Sequence, residues 1–154
     1  MHDCTVYDRP ELFETLVPPR PSWHDVYSQF ARVLSKRSTC RRLQVGCVVV
    51  SGDNQRILAI GYNGNWKGGP NDCDSDVEGS CGCTHGEANC MVKFDPREAS
   101  GAVLFTTDGP CVACAKLIIN AGIKNVVYGE EYRIRAGVEL LSRAGVRVTR
   151  YQTS

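Results

Sequence analysis

Five short apolar runs divide the chain into candidate strands. The first, at residues 45–50, is a continuous β-branched run, which is typical of a strand buried on both faces. A turn at residues 51–54 separates it from a second run at 56–62, so the pair predicts a β-hairpin. Further apolar runs predict three more strands, at residues 102–106, 125–128 and 146–149.

Helical periodicity occupies most of the remaining chain. After Ser22, a candidate N-cap, apolar residues recur on one helical face and fade near Ser38. Three more helices are predicted, at residues 85–94, 110–120 and 134–144. Pro110 is expected at the first helical position and Gly122 just past the helix end. The order α-β-β-α-β-α-β-α-β predicts an α/β fold with helices on both faces of one five-stranded mixed sheet.

Two segments lack this periodicity. Residues 1–21 are rich in proline, and we interpret them as an irregular N-terminal arm before a single domain at residues 22–154. Residues 63–84 predict a long loop rich in Gly, Asn, Asp and Cys. A loop of this length inside a compact domain is usually functional or held by an additional cross-link.

Composition and charge restrict the function. The 154 residues include 18 basic and 17 acidic ones, and the net charge of +1 argues against binding duplex DNA through its phosphates. No apolar run approaches the ~18–20 residues of a membrane span, and residues 1–10 lack an apolar signal-peptide core. We therefore expect a cytoplasmic protein without a membrane partner. Nine cysteines in that reducing compartment favour metal binding or catalysis over disulfides.

Two of the predicted helices begin with residues suited to a metal ion. Cys111 and Cys114 stand three residues apart in one helical turn, so both thiols face the same side. His85 begins another helix, and Glu87 follows two residues later. Three protein ligands leave the fourth position of a zinc ion open for water, which is typical of a catalytic site. Glu87 would carry protons to and from that water.

Each half of this pattern has a simpler explanation when taken alone. Cys-x-x-Cys also occurs in redox pairs and zinc knuckles, and Glu87 could form a capping box with Thr84. Together, however, the residues form H-x-E…P-C-x-x-C, which is a known signature of zinc nucleobase deaminases. The combination predicts a zinc-dependent deaminase.

Three further segments, residues 38–46, 61–64 and 114–124, make the chain resemble the deoxycytidylate (dCMP) deaminase family. The resemblance extends over about residues 25–150. It implies the cytidine deaminase-like three-layer α-β-α sandwich, one catalytic zinc per subunit and a homo-oligomer, usually a hexamer. It also implies conversion of dCMP to dUMP with release of ammonia, with a free nucleotide rather than a nucleic acid as substrate.

The resemblance also implies roles for individual residues. The zinc ligands of the family correspond to His85, Cys111 and Cys114. The counterpart of Glu87 moves protons, that of Asn63 contacts the sugar, and that of Arg42 lies near the phosphate. A simpler alternative for Arg42 is a solvated position near the end of the first helix, beside Lys36 and Arg37. Many members are also regulated by dCTP and dTTP.

The chain departs from the family pattern at three positions. Gly86 and Gly109 replace the usual alanine and the usual serine or threonine, and Trp66 stands where proline is common. We expect Gly86 to contact the substrate and to leave room for a 5-methyl group on the base. Trp66 weakens the expectation of family-type regulation.

Four more cysteines surround the long loop: Cys40, Cys73, Cys81 and Cys83. Some relatives hold a second, structural zinc in this region, and the loop has little apolar content with which to bury itself. We predict a second zinc bound by these residues. The alternative is a buried apolar role for Cys40 and free thiols for the other three.

Two other classes of function stay open. One is a deaminase of another base on the same fold, such as 5-substituted dCMP, guanine or tRNA adenosine. The other is a non-catalytic zinc- or nucleotide-binding protein. The balanced charge and the segments around Asn63 and Arg42 favour a mononucleotide. Glu87 favours an enzyme, because a structural site needs no proton carrier.

Overall fold

The computed structural model describes residues 19–152, so most of the predicted N-terminal arm lies outside the described residues. Four α-helices lie within this range: α1 (Trp23–Ser35), α2 (Gly86–Met91), α3 (Val112–Asn120) and α4 (Ala136–Arg143). A short 3-10 helix spans Pro96–Glu98. The strands are β1 (Gly46–Val50), β2 (Ile57–Tyr62), β3 (Val103–Asp108), β4 (Asn125–Glu130) and β5 (Arg147–Arg150). None of these helices has the length and apolarity needed to cross a membrane.

The five strands form one mixed sheet in the order β2-β1-β3-β4-β5. β1 runs antiparallel to both of its neighbours, with Val49 opposite Ala59 on β2 and Leu104 on β3. β3, β4 and β5 are parallel, and Phe105 pairs with Val127. The carboxyl ends of β3 and β4 therefore meet at one edge, where open α/β sheets bind their ligands.

The core lies on both faces of this sheet. On one face, α1 packs Tyr27, Ala31 and Leu34 against the sheet residues Val48, Val50, Phe105 and Val127. On the other face, the helical residues Cys90, Ala115, Ile118 and Leu141 pack against Val49, Leu104 and Val126. Because β1 contributes to both clusters, all five of its residues are buried. The predicted three-layer α-β-α arrangement is confirmed.

The helix caps follow the sequence signals in part, but α1 ends at Ser35 instead of near Ser38 and α2 ends at Met91 instead of residue 94. Ser22 caps α1 through a capping box with Asp25, and Gly122 takes the left-handed conformation after α3, as expected. The expectation for Pro110 is wrong, because the residue precedes the cap instead of occupying the first helical position. Cys111 is the N-cap, and its sulfur accepts the backbone N–H of Cys114.

Candidate metal and substrate site

Three of the predicted metal ligands meet where two helices begin. His85 is the N-cap of α2 and Cys111 that of α3. The Nδ1 atom of His85 lies 3.5 Å from the sulfur of Cys111 and 3.5 Å from that of Cys114. A tetrahedral zinc with bonds of ~2.0 Å to nitrogen and ~2.3 Å to sulfur separates such atoms by about 3.5 Å. The donor set and its spacing therefore fit zinc.

Two glycines allow the helices to approach this position. A Cβ at Gly61 on β2 would overlap the carbonyl oxygen of Gly86 and lie 2.5 Å from the amide nitrogen of Cys90. A Cβ at Gly137 on α4 would overlap the carbonyl oxygen of Pro110 and lie 2.6 Å from the carbonyl carbon of Cys111. Close backbone contact thus holds α2 on the sheet and α4 against the segment that carries Cys111.

The pKa values of the two thiols are shifted in opposite directions. Hydrogen bonds from Cys114 and from His85 lower the pKa of Cys111 to about 3. The same partner, Cys111, together with burial, raises the pKa of Cys114 well above its ordinary value. Metal binding displaces the remaining thiol proton and allows both sulfurs to bind as thiolates.

Glu87 lies in the first turn of α2, with 4% of its surface exposed. Burial is the main cause that raises the pKa of its carboxyl group to about 7. The capping-box alternative is wrong, because the N-cap is His85 and its side chain makes no capping hydrogen bond. Thr84 instead pairs with Gly64 through two backbone hydrogen bonds. Glu87 is thus left facing a cavity beside the three metal-ligand candidates.

The cavity is lined by residues from several elements. One wall is the end of the long loop, residues 79–83. Asn63 and Arg42 line it as well, together with Asp108 at the end of β3 and Tyr132 after β4. An apolar and polar cleft at the carboxyl ends of strands is the usual setting for a small-molecule substrate.

Asn63 is buried and already engaged with the protein. Its Oδ1 accepts the backbone N–H of Val45 at 2.7 Å, and its Nδ2 donates to the carbonyl of Leu43 at 2.6 Å. The side chain therefore holds the segment that follows Arg42. One N–H of the amide is left for a ligand.

The two neighbouring arginines differ in their surroundings. Arg41 forms ion pairs with Asp72 at 2.8 Å and Asp76 at 3.0 Å, and it does not line the cavity. Arg42 lines the cavity, and its side chain donates one hydrogen bond to the carbonyl of Asp76. Four of its five N–H groups are left for a ligand.

Gly86, the expected substrate contact next to His85, lies close to the backbone of two neighbouring segments. Gly86 does not line the cavity. A Cβ there would lie 3.1 Å from the carbonyl oxygen of Val45 and 3.4 Å from the amide nitrogen of Asn63. A methyl group at Gly86 would therefore lie between Val45 and Asn63, and the room expected there for a 5-methyl group on the base stays a prediction.

A second cluster joins the four remaining loop cysteines. The sulfur of Cys40 lies 3.7 Å from that of Cys73 and 3.9 Å from that of Cys81, and the sulfurs of Cys73 and Cys83 are 3.6 Å apart. All four sulfurs lie within 4.8 Å of one another. Because Cys40, Cys81 and Cys83 also line the cavity, this cluster and the candidate active site share a wall.

Comparison with known proteins identifies the family. A family model described as the cytidine and deoxycytidylate deaminase zinc-binding region matches residues 21–130. The chain belongs to this family. A deoxycytidylate deaminase of fission yeast, Schizosaccharomyces pombe, is 33% identical over 147 residues, which cover 86% of this chain and 45% of the yeast protein. The chain thus spans less than half the length of that relative.

Shorter deoxycytidylate deaminases match over their full length. The enzyme of Mycobacterium phage D29 is 35% identical over 127 residues, which cover 73% of this chain and 98% of the phage protein. The crystal structure of the dCMP deaminase of cyanophage S-TIM5, in complex with dCMP and dUMP, superposes with a TM-score of 0.73. It is 36% identical and covers 87% of this chain and 100% of that one. The fold of this deaminase family member is therefore the cytidine deaminase-like sandwich.

Two of the cavity-lining residues that the sequence prediction missed, Asp108 and Tyr132, lie at or just past the ends of strands of the sheet. Asp108 ends β3 and Tyr132 follows β4, so both stand at the carboxyl ends of neighbouring parallel strands. That position is itself a signal for ligand contact. The sequence pattern did not show this position, because the apolar runs end at residues 106 and 128, two residues before the strands end.

Proposed function

We propose that this chain is a zinc-dependent enzyme that hydrolyses dCMP to dUMP and ammonia. The observation that supports this best is the buried carboxyl group of Glu87, which faces the same cavity as His85 and Cys111. A non-catalytic metal site has no use for a buried carboxyl group beside an open cavity. The cyanophage enzyme, whose structure holds dCMP and dUMP, supports the choice of nucleotide.

The residues divide the chemistry among themselves. His85, Cys111 and Cys114 would hold a zinc ion, which would act as a Lewis acid and activate the water that attacks C4 of the base. Glu87 accepts a proton from the attacking water and delivers it to N3. The second proton of the water reaches the amino group through Glu87, and this group leaves as ammonia. Burial keeps bulk water from competing with these transfers.

A substrate panel tests this function. Purified protein is incubated with dCMP, CMP, deoxycytidine, dCTP and 5-methyl-dCMP, and ammonia release is followed. We expect dCMP to give the highest kcat/KM. The proposal is wrong if zinc-loaded protein releases no ammonia from any cytosine nucleotide of the panel.

Arg42 is proposed to bind the 5′-phosphate, since its guanidinium lines the cavity with most of its N–H groups unused. Arg42→Ala is expected to raise KM for dCMP by about tenfold or more, because a hydrogen bond to a charged group contributes ~1.5–3 kcal/mol. KM for deoxycytidine, which lacks the phosphate, should change little. Steady-state kinetics with both substrates measures the difference.

Arg41 provides the matched control. Its guanidinium is held by Asp72 and Asp76 outside the cavity. Arg41→Ala should therefore affect dCMP and deoxycytidine equally. A selective loss of dCMP affinity in Arg41→Ala, with none in Arg42→Ala, would move the phosphate site to the neighbouring residue.

We also propose that the loop cysteines hold a second zinc. Four thiolates at ~2.3 Å from a tetrahedral ion lie about 3.8 Å apart. Three of the six sulfur–sulfur separations are 3.6–3.9 Å, and all of them lie within 4.8 Å. The backbone N–H of Arg41 points at the sulfur of Cys73, at 3.5 Å, as donors around zinc thiolates do. Four ligands leave no open position, so this ion would be structural.

Metal analysis tests the second site. We expect two zinc ions per chain in the native protein and one in Cys73→Ser, with a lower Tm and a higher KM because the loop forms a cavity wall. Cys47→Ala serves as a control, because Cys47 is fully buried in β1 and belongs to neither cluster of metal-ligand candidates. It should lower Tm but leave two zinc ions. One zinc per chain in freshly purified, reduced native protein would contradict the proposal.

A homo-oligomer is part of the same proposal. Several large apolar side chains of β2, of the end of α2 and of α3 are exposed: Ile57, Val92, Val112 and Leu117. Such side chains suit an interface between copies. Light scattering after size exclusion measures the assembly.

A further inference from the structure

The cavity of the candidate active site is small for the proposed substrate. Its volume is about 150 Å³, and a cavity of that size holds one benzene-sized ring. A pyrimidine nucleotide adds a sugar and a phosphate to such a ring. Because the proposed phosphate ligand Arg42 lines the same cavity as His85 and Glu87, the whole nucleotide has to fit inside it. The cavity therefore has to widen when dCMP binds.

One ion pair joins two walls of this cavity. Gly79, in the tip of the long loop (residues 77–80), belongs to one wall, and Tyr132, after β4, belongs to another. Directly beside these two residues, the guanidinium of Arg133 donates a hydrogen bond to the carboxylate of Glu78. In the part of the chain that the structure describes, no other hydrogen bond or ion pair connects the loop tip with the segment after β4.

This ion pair lies at the outer rim of the cavity. Neither Glu78 nor Arg133 lines the cavity itself, and their side chains are 65% and 56% exposed. An exposed ion pair is weak, so this contact breaks at low cost.

The loop tip is also separated from the cysteine cluster. The backbone N–H groups of residues 74 and 75 both donate to the carbonyl of Cys81, at 2.9 and 3.3 Å. These two hydrogen bonds close the base of the loop before the tip begins. The tip itself is a single turn closed by one backbone hydrogen bond, from Ser80 to Val77. Movement of the tip therefore leaves the four cysteines in place.

We propose that the ion pair between Glu78 and Arg133 is a clasp across the mouth of the cavity, and that it has to break when the nucleotide binds. The clasp thus competes with the nucleotide and lowers the apparent affinity of the site. It acts on binding and leaves the proton transfers of Glu87 unchanged. This inference rests on the proposed dCMP deaminase function.

Equilibrium binding of dUMP tests the clasp without turnover. The neutral double variant Glu78→Gln/Arg133→Gln removes the ion pair and leaves the net charge of the protein unchanged, so a change in Kd does not come from altered attraction of the phosphate. We expect Kd for dUMP to fall by about two- to fivefold, the range that an exposed ion pair contributes to an equilibrium. Isothermal titration calorimetry with zinc-loaded protein measures Kd, and KM for dCMP should fall in parallel.

Two further double variants are the controls. Glu78→Arg/Arg133→Glu exchanges the two charges and allows the same pair to form in reverse, so it should restore the Kd of the native protein. Arg56→Gln/Glu98→Gln removes another exposed ion pair, whose nitrogen and oxygen atoms are 3.1 Å apart and which lies outside the cavity. It should leave Kd unchanged.

The outcomes separate this inference from the proposed function. An unchanged or higher Kd for dUMP in the neutral double variant, with normal dCMP turnover in the native protein, would overturn the clasp alone. An equal fall in Kd on removal of the pair between Arg56 and Glu98 would overturn it as well. Native protein that neither binds dUMP nor releases ammonia from dCMP would overturn the proposed function together with the clasp.

Discussion

Glu87→Gln is expected to lower kcat for dCMP by about 10²–10⁴-fold, the usual contribution of a positioned acid–base group. The amide has nearly the shape of the carboxyl group, but it can neither accept a proton from water nor deliver one to N3. Because Glu87 ligates no metal in the proposed site, zinc content should stay unchanged. Rapid measurement of ammonia release together with metal analysis separates these two effects.

The same substitution should not destabilise the fold. Burial raises the pKa of Glu87, which means that the folded protein disfavours the charged form of this side chain. A neutral amide in its place relieves that desolvation, so Tm should stay equal or rise while activity falls. Opposite changes in stability and activity are typical of catalytic residues.

Glu139→Gln is the matched control, because Glu139 is an exposed carboxylate on α4 outside the cavity. It should leave kcat, Tm and zinc content unchanged. If Glu87→Gln retained activity close to that of the native protein, another group would have to move the protons, and the mechanism proposed here would be wrong.

The hydrophobic pattern predicts the central strands well because burial determines where they lie. The run at residues 45–50 matches β1, a strand that both helical layers cover. The pattern fails at the ends of β3 and β4, which continue to Asp108 and Glu130. These last residues are polar and partly exposed, and backbone pairing rather than burial keeps them in the sheet. Functional residues stand at such ends.

In the candidate site, too, the sequence predicts some features and the fold alone determines others. The residues His85, Glu87, Cys111 and Cys114 are visible in the sequence because their spacing follows from helix geometry and metal chemistry. The convergence of Cys40 with Cys73, Cys81 and Cys83 depends on how the long loop folds, and spacing alone leaves free thiols as an alternative. The direction in which the missing methyl group of Gly86 would point depends on the packing of α2 against Val45. No sequence pattern encodes that direction.

The second large effect is expected for Gly137→Ala, because close packing around this glycine leaves no room for a methyl group. Gly137 lies near the start of α4, where alanine would by helix propensity alone stabilise the protein by up to about 1 kcal/mol. The new methyl group, however, would overlap the carbonyl oxygen of Pro110 and lie 2.6 Å from the carbonyl carbon of Cys111. Both contacts involve backbone atoms, which cannot turn away as a flexible side chain can.

We therefore expect Gly137→Ala to destabilise the protein, although helix propensity alone predicts stabilisation. The free energy of unfolding should fall by ~1–3 kcal/mol or more, as it does on overpacking. Relief of the overlap must move α4 or the segment that carries Cys111. Zinc ligands tolerate errors of only about 0.2 Å in their bond lengths, so zinc affinity and deaminase activity should fall as well. Chemical denaturation, a competitive zinc chelator titration and kcat for dCMP measure the three effects.

Gly145→Ala, just past the other end of α4, is the matched control. Its new Cβ has nothing within 4 Å, but the residue has a positive φ of 78°. The substitution should therefore lower the free energy of unfolding by ~1–2 kcal/mol without loss of zinc. Equal zinc affinity in both variants would show that contact between α4 and Cys111 does not hold the metal ligand in place.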